Sequence, residues 1–245
     1  MINLKDKRIL VTGATGGIGK EIVSNCLSLG AKVFAIGRNI QKLSELKGSK
    51  NLVIVKCDVT ISEEVDSLLG EVDCLDGVVH CVGKIYPFPI KYITGKHIQK
   101  VYSVNTESII TLTSKLFQRK IIANKASLIF ISSISVQHPY MGGALYVSSK
   151  AAIEAFSKSV ALEFAHQGIR SNCIAPALIQ TDIYEQTKKA YTPEQWEKIV
   201  SQYPLGLGKP EDVASLTVFL LSDLSLWMTG VTLPLDGGLL LNTTR

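Results

Sequence analysis

Tyr146 and Lys150 stand four residues apart at the head of a long helical pattern. Residues so spaced share a helix face. An ammonium about 4 Å from a phenolate, at an effective dielectric of about 20, favours it by roughly 4 kcal/mol. That equals about three pKa units, enough to bring a phenol from about 10 towards neutrality. A phenol so tuned can give or take a proton at a carbonyl or alcohol oxygen. Alone, this spacing arises by chance in many helices. Two further residues give it context. Ser133 lies thirteen residues before Tyr146, just past the strand pattern Leu128–Ser132. Open α/β sheets bind ligands at such strand ends. Asn105 falls on the apolar stripe Ile98, Val101, Asn105, Ile109, Leu112, Leu116. A buried amide needs partners, so Asn105 reads either as a satisfied structural amide or as part of a polar relay.

A second constellation opens the chain. Directly after a first strand pattern comes Thr12-Gly13-Ala14-Thr15-Gly16-Gly17-Ile18-Gly19, and a helix pattern follows. Glycines let such a turn take positive φ and let backbone approach a ligand closely. The helix N-terminus then offers free N–H groups to a phosphate. The spacing is GxxxGxG rather than GxGxxG, and no GK[ST] follows, which excludes a P-loop. The next strand ends Ala35-Ile36-Gly37-Arg38, without the carboxylate expected for the ribose hydroxyls of NAD. A guanidinium there can pair with a 2′-phosphate, so NADP(H) is favoured over NAD(H).

These residues need a scaffold. Strand-like runs at Arg8–Thr12, Lys32–Ile36, Leu52–Cys57, Gly77–Cys81 and Leu128–Ser132, with weaker ones at Arg170–Ala175 and Val231–Leu235, alternate with helical stretches. The helical stretches are Gly17–Leu29, Glu63–Leu69, Lys96–Arg119, Tyr146–His166 and Pro210–Leu221. The pattern predicts a Rossmann-type doubly wound α/β fold, a parallel sheet of about seven strands with helices on both faces. The 245 residues suit a single domain, 1–245, with no linker or repeat. One polar segment, 178–204, has no sheet role. Its Thr192-Pro193-Glu194-Gln195 reads as a helix start, and a substrate lid is expected there.

The order and spacing of these motifs resemble the short-chain dehydrogenase/reductase family nearly end to end, and are similar to its 3-oxoacyl-acyl-carrier-protein reductases. The resemblance implies an Asn105–Ser133–Tyr146–Lys150 tetrad. Tyr146 would act as acid or base. Lys150 would lower its pKa and hold the nicotinamide ribose. Ser133 would bind the substrate oxygen, and Asn105 would anchor a water that links Lys150 to solvent. It implies cofactor contacts from Gly13, Thr15, Gly17, Ile18, Gly19, Arg38, Asp58, Val59, Cys81, Gly83, Tyr146, Lys150, Pro176, Ile179 and Thr181. Ser133, His138, Tyr140 and Tyr146 would meet substrate, with Tyr86, Pro87, Phe88, Pro89 and Met141 lining the pocket. Two stretches depart from the family pattern: His80-Cys81-Val82-Gly83 stands for its NNAG, and Pro176-Ala177 for its Pro-Gly.

The implied reaction is hydride transfer between a carbonyl and a secondary alcohol. Sugar, polyol or other alcohol substrates stay open beside an acyl thioester. A non-catalytic dinucleotide sensor would have lost a tetrad member, and an epimerase would carry a second domain. The net charge of +5 is spread without a run of basic residues, so no nucleic-acid partner is expected. No apolar stretch is long enough to span a membrane, and the four histidines lack ligand spacing, so no metal is expected. Five unpaired cysteines and a charged Met1–Arg8 unlike a signal peptide suggest a cytoplasmic enzyme. The family resemblance implies a homotetramer or homodimer.

Overall fold

The computed structural model describes residues 1–46, 49–189 and 191–241, apart from the side chains of residues 182, 183 and 186. Its frame is a seven-stranded sheet: β1 (Arg8–Thr12), β2 (Lys32–Gly37), β3 (Leu52–Lys56), β4 (Leu75–His80), β5 (Ile122–Ile131), β6 (Arg170–Pro176) and β7 (Thr232–Leu235). Every neighbouring pair is parallel, in the order β3-β2-β1-β4-β5-β6-β7. The order reverses direction between β1 and β4. Ligands bind in the crevice beyond the strand ends at such a switch point.

The helices are α1 (Gly17–Ser28), α2 (Ile40–Ser44), α3 (Ser62–Glu71), α4 (Gly95–Tyr102), α5 (Ser108–Gln118), α6 (Ala144–Phe164), α7 (Asp182–Lys188), α8 (Pro193–Val200) and α9 (Pro210–Leu221). The strands read as near-continuous apolar runs because both faces are covered. On one face Leu10, Phe34, Val78, Leu128 and Phe130 meet Val65 and Leu68 of α3, Leu112 and Leu116 of α5, and Ile153 and Val160 of α6. On the other, Ile9, Val11, Val33, Val79 and Ile129 meet Ile22 and Val23 of α1 and Val213, Val218 and Leu221 of α9. Each such side chain, fully buried, contributes roughly 1.5–3 kcal/mol.

Two local expectations need correction. Strand β5 begins six residues before the predicted Leu128. Lys125 within it has φ +62°, and the pairing with β4 shifts register between Leu75 and Gly77. The exposed, polar Asn124 and Lys125 interrupt its apolar run and hid its start from a hydrophobic reading. The single helix expected over Lys96–Arg119 is interrupted: Ser103–Glu107 forms a π-helical turn between α4 and α5. Of the predicted stripe, Val101, Asn105, Ile109, Leu112 and Leu116 are buried, but Ile98 is exposed. Helix α2, on which the sequence reading was silent, is too short to show a helical period but is capped by the Asn39 side chain, which accepts from the Lys42 N–H at 3.0 Å.

Candidate active site

The site gathers at the C-terminal ends of β4 and β5. Tyr146 and Lys150 lie on one face in the first turns of α6, and a clasp holds that turn. Asn105 and Thr106, both in the π turn, reach across. The Asn105 amide donates to Ser149 Oγ at 3.1 Å, and the Thr106 hydroxyl donates to Ser149 O at 3.1 Å. Ser149 Oγ in turn donates to Tyr146 O at 2.7 Å. Asn105 also pairs with both backbone groups of Lys84: its Oδ1 accepts from N–H at 2.8 Å and its Nδ2 donates to O at 3.0 Å. The π turn therefore rotates a fully buried amide into the gap between the β4 exit and α6. Such turns often mark functional sites. This geometry ties up the Asn105 amide in positioning; its contact is to Ser149 and Lys84, not to Lys150.

Lys150 is buried, and its ammonium donates to Ile131 O at 2.8 Å, at the end of β5. Burial pulls it down to about 8, opposed by the thiols of Cys81 and Cys173 nearby. Its Nζ stands 5.9 Å from the Tyr146 ring centroid. The Tyr146 phenol lies above its ordinary value, raised by burial to about 12 against a hydrogen bond with Ser133. In this structure the Lys150 ammonium is turned to the Ile131 carbonyl. Ser133 Oγ accepts from the Ser135 N–H at 3.2 Å and from the Ser135 hydroxyl at 2.9 Å, which caps the short turn after β5.

The glycine turn has the shape a dinucleotide needs. Gly13 has φ +68°, and a Cβ there would stand 2.9 Å from Cys81 O. A Cβ on Gly19 would collide with Gly13 O, and one on Gly17 would stand 2.9 Å from Thr181 Cγ2. The backbone is thus bare where α1 begins, and no acid sits in its first turn to oppose an anion. Thr12 ties this turn to β4: its hydroxyl accepts from the Cys81 N–H at 3.2 Å. Gly83 faces Lys150, since a Cβ there would lie 3.1 Å from Nζ. Ile18 packs on the core beside buried Ile179, and the Ile179 backbone bridges to Gly208. Pro176 closes β6. Val59 is buried beside Cys57 in the other core.

Beyond β2 lies a cavity of about 560 Å³ lined by Thr15, Arg38, Gln41, Lys42 and Lys56, among others, with no carboxylate in its lining. Arg38 Nη1 stands 3.6 Å from Asp58 Oδ2. Burial would raise the Asp58 carboxyl, but hydrogen bonds from Thr60 and the Arg38 cation outweigh it, and it sits below the usual range. Lys42 and Lys56 escaped the sequence reading. Each is an ordinary surface lysine until β2, α2 and β3 are brought side by side.

The substrate side is built from two tied loops. The Phe88 N–H donates to Gly142 O at 2.8 Å. Phe88 stacks on His97 with centroids 3.9 Å apart. Tyr140 lies between Tyr146 and Tyr191: Tyr191 helps raise the Tyr140 phenol, and Tyr140 helps raise that of Tyr146. His138 and Met141 are exposed. Tyr191 belongs to the expected lid, where α7 and α8 enclose Trp196 against Tyr184 (5.2 Å) and Tyr191 (6.0 Å). Position 190 of that segment lies outside the described residues.

The fold and this cleft define a Rossmann-type oxidoreductase. A family model described as enoyl-(acyl carrier protein) reductase matches residues 13–240. A 3-oxoacyl-[acyl-carrier-protein] reductase of Rickettsia typhi is 33% identical, over 98% of this chain and 100% of its own. A tropinone reductase homolog of Arabidopsis thaliana is 31% identical, over 98% and 94%. A short-chain dehydrogenase family protein of Francisella tularensis superposes with a TM-score of 0.86 at 28% identity, covering 96% of this chain and 99% of that one. A short-chain type dehydrogenase/reductase of Mycobacterium ulcerans gives 0.88 at 28%, covering 98% and 92%. The chain belongs to the short-chain dehydrogenase/reductase family and is an oxidoreductase acting on CH–OH groups.

Proposed function

We propose that the protein is an NADP(H)-dependent reductase of a carbonyl to a secondary alcohol, with a 3-oxoacyl thioester as the favoured substrate. The observation that carries this reading is the convergence of Ser133, Tyr146 and Lys150 beside the bare glycine turn. The nicotinamide supplies or accepts hydride. This chain's residues do the rest. Tyr146, held protonated at neutral pH by burial, is in the form a general acid needs to protonate the carbonyl oxygen. Ser133 shares a hydrogen bond with that phenol and can donate to the same oxygen. Lys150 supplies positive charge below about pH 8, and Asn105 fixes the turn that carries both.

The preference for NADP(H) rests on the cationic cavity. Arg38, Lys42 and Lys56, with no carboxylate in the lining, suit a 2′-phosphate. The thioester reading rests on the bacterial relatives. The soluble enzyme reads as cytoplasmic and homo-oligomeric, a dimer or tetramer. Among the described residues no helix is long and apolar enough to cross a membrane.

The test compares NADPH and NADH oxidation against an acetoacetyl thioester, the matching 2-enoyl thioester and a panel of ketones and sugars. Preference for NADH would overturn the Arg38 argument. Tyr146→Phe should cut turnover about 10²- to 10⁴-fold while leaving NADPH binding intact. Retained activity would remove Tyr146 from the chemistry.

A further inference from the structure

Between Gly77 and Thr106 the chain carries four lysines, two histidines and no acid. Two of the lysines come from different elements and converge. Lys84, in the loop after β4, holds its ammonium 5.0 Å from the Tyr86 ring centroid, and Lys100, on α4, holds its own 4.1 Å from it. The two ammoniums beside it keep the Tyr86 phenol below its ordinary value. Neither lysine forms an ion pair with a carboxylate among the described residues. Both are exposed.

Two ammoniums gathered on one ring repel each other, and a ring face plus one phenol oxygen answers them only in part. Their place gives the arrangement a use. The Lys84 backbone is the segment Asn105 clasps, and the preceding Gly83 lies against Lys150 Nζ. The loop that carries Lys84 and Tyr86 therefore begins beside Asn105 and Lys150 and runs on to Phe88, which is tied to Gly142. It is separate from the Arg38 cavity, whose residues come from the glycine turn, the β2–α2 segment and β3.

We infer that Lys84 and Lys100, gathered on Tyr86, form an anion-recognition subsite at the mouth of the active site. The substrate is then an oxo compound that carries a carboxylate or phosphate beyond its reacting carbon. This deepens the carbonyl-reductase reading above and rests on it.

Matched substrate pairs with NADPH test it. One pair is 4-oxopentanoate against its methyl ester; the other is S-acetoacetyl-pantetheine 4′-phosphate against S-acetoacetyl-pantetheine. The expected result is that the anionic member of at least one pair is favoured about tenfold, through KM. Which pair responds tells carboxylate from phosphate. Lys100→Gln should bring that ratio towards one, Lys100→Arg should restore it, and about 0.5 M salt should shrink it. Because each ratio compares two substrates on one protein, loss of folded enzyme cancels. Equal handling of both pairs, or a ratio untouched in the Lys84→Gln/Lys100→Gln double variant, overturns the subsite. If no compound turns over, the reductase reading fails instead. Calorimetric titration with the same pairs then decides the subsite: tighter binding of the anion, lost in Lys100→Gln, supports it, and equal binding overturns it.

Discussion

Single side chains set the site's response to pH and to charge. Lys150, drawn down to about 8 by burial, loses its charge as pH rises through that value, while Tyr146 stays protonated well beyond it. For carbonyl reduction, kcat/KM should be level below about pH 8 and fall above it. Lys150→Arg should move that limb upward if the variant retains activity, and a pH–rate profile reads both. Arg38→Ala should raise the KM for NADPH about 10- to 100-fold, the worth of a charge-assisted pair, and hardly move that for NADH. Equal loss with both cofactors would sink the phosphate role. His80 carries a different consequence. It is fully buried, stacked on Phe130 and bonded through Nε2 to Thr113 Oγ1 at 3.0 Å, with its Nδ1 lacking a partner among the described residues. Thr113 gives its hydroxyl proton to Ile109 O, so Nε2 is the donor and the lone acceptor is Nδ1. Burial pushes the imidazole from 6.5 down to about 3. The unfolded chain thus binds one more proton between those values, and stability is full above pH 6.5 and lost as pH falls towards 3. The slope is about 1.4 kcal/mol per pH unit. Urea unfolding from pH 7 to 4 should show this slope, and His80→Gln should flatten it by one proton even if the variant is less stable throughout.

At the scale of elements, position comes from where helices are interrupted and tied. The π turn is the clearest case. A continuous α-helix over 95–118 would keep 105 on a regular stripe; the wider turn instead aims Asn105 and Thr106 together at Ser149. The segment expected to act as a lid is a second case. Its aromatic cluster packs mainly on itself, with Trp196 between Tyr184 and Tyr191, and Tyr140 is its link to the site. Trp196→Ala should therefore raise the KM for substrate severalfold with little change in NADPH affinity or in the main unfolding transition. A fall in global Tm matching that of a core truncation, about 3–5 kcal/mol, would show that the segment belongs to the main core rather than to a lid.

Over the whole molecule, one parallel sheet divides two apolar cores, and the switch between β1 and β4 places the glycine turn opposite the tetrad. Leu162, Leu224, Leu226 and the wholly exposed Trp227 lie outside both cores. A contiguous apolar patch left in water marks an interaction site, and the proposed homo-oligomer would cover these side chains. Sedimentation velocity should find a species at least twice the 26.6 kDa chain, and Trp227→Glu should weaken it. A monomer at micromolar concentration would exclude the homo-oligomer.

Much of this was legible in the chain itself. Strand and helix order, the glycine turn and the Tyr146–Lys150 pair follow from short-range rules: apolar period, turn chemistry and the four-residue helix repeat. Those rules act along the chain, so the sequence by itself determined the fold class and the residues worth watching. They carry no information about which surfaces meet. Only the tertiary structure turned Lys150 to the Ile131 carbonyl, raised the Tyr146 phenol, tied Asn105 to Ser149 and Lys84, and gathered Lys42 and Lys56 beside Arg38. Burial and hydrogen-bond partnership belong to pairs of elements distant in sequence, and they decide pKa and orientation.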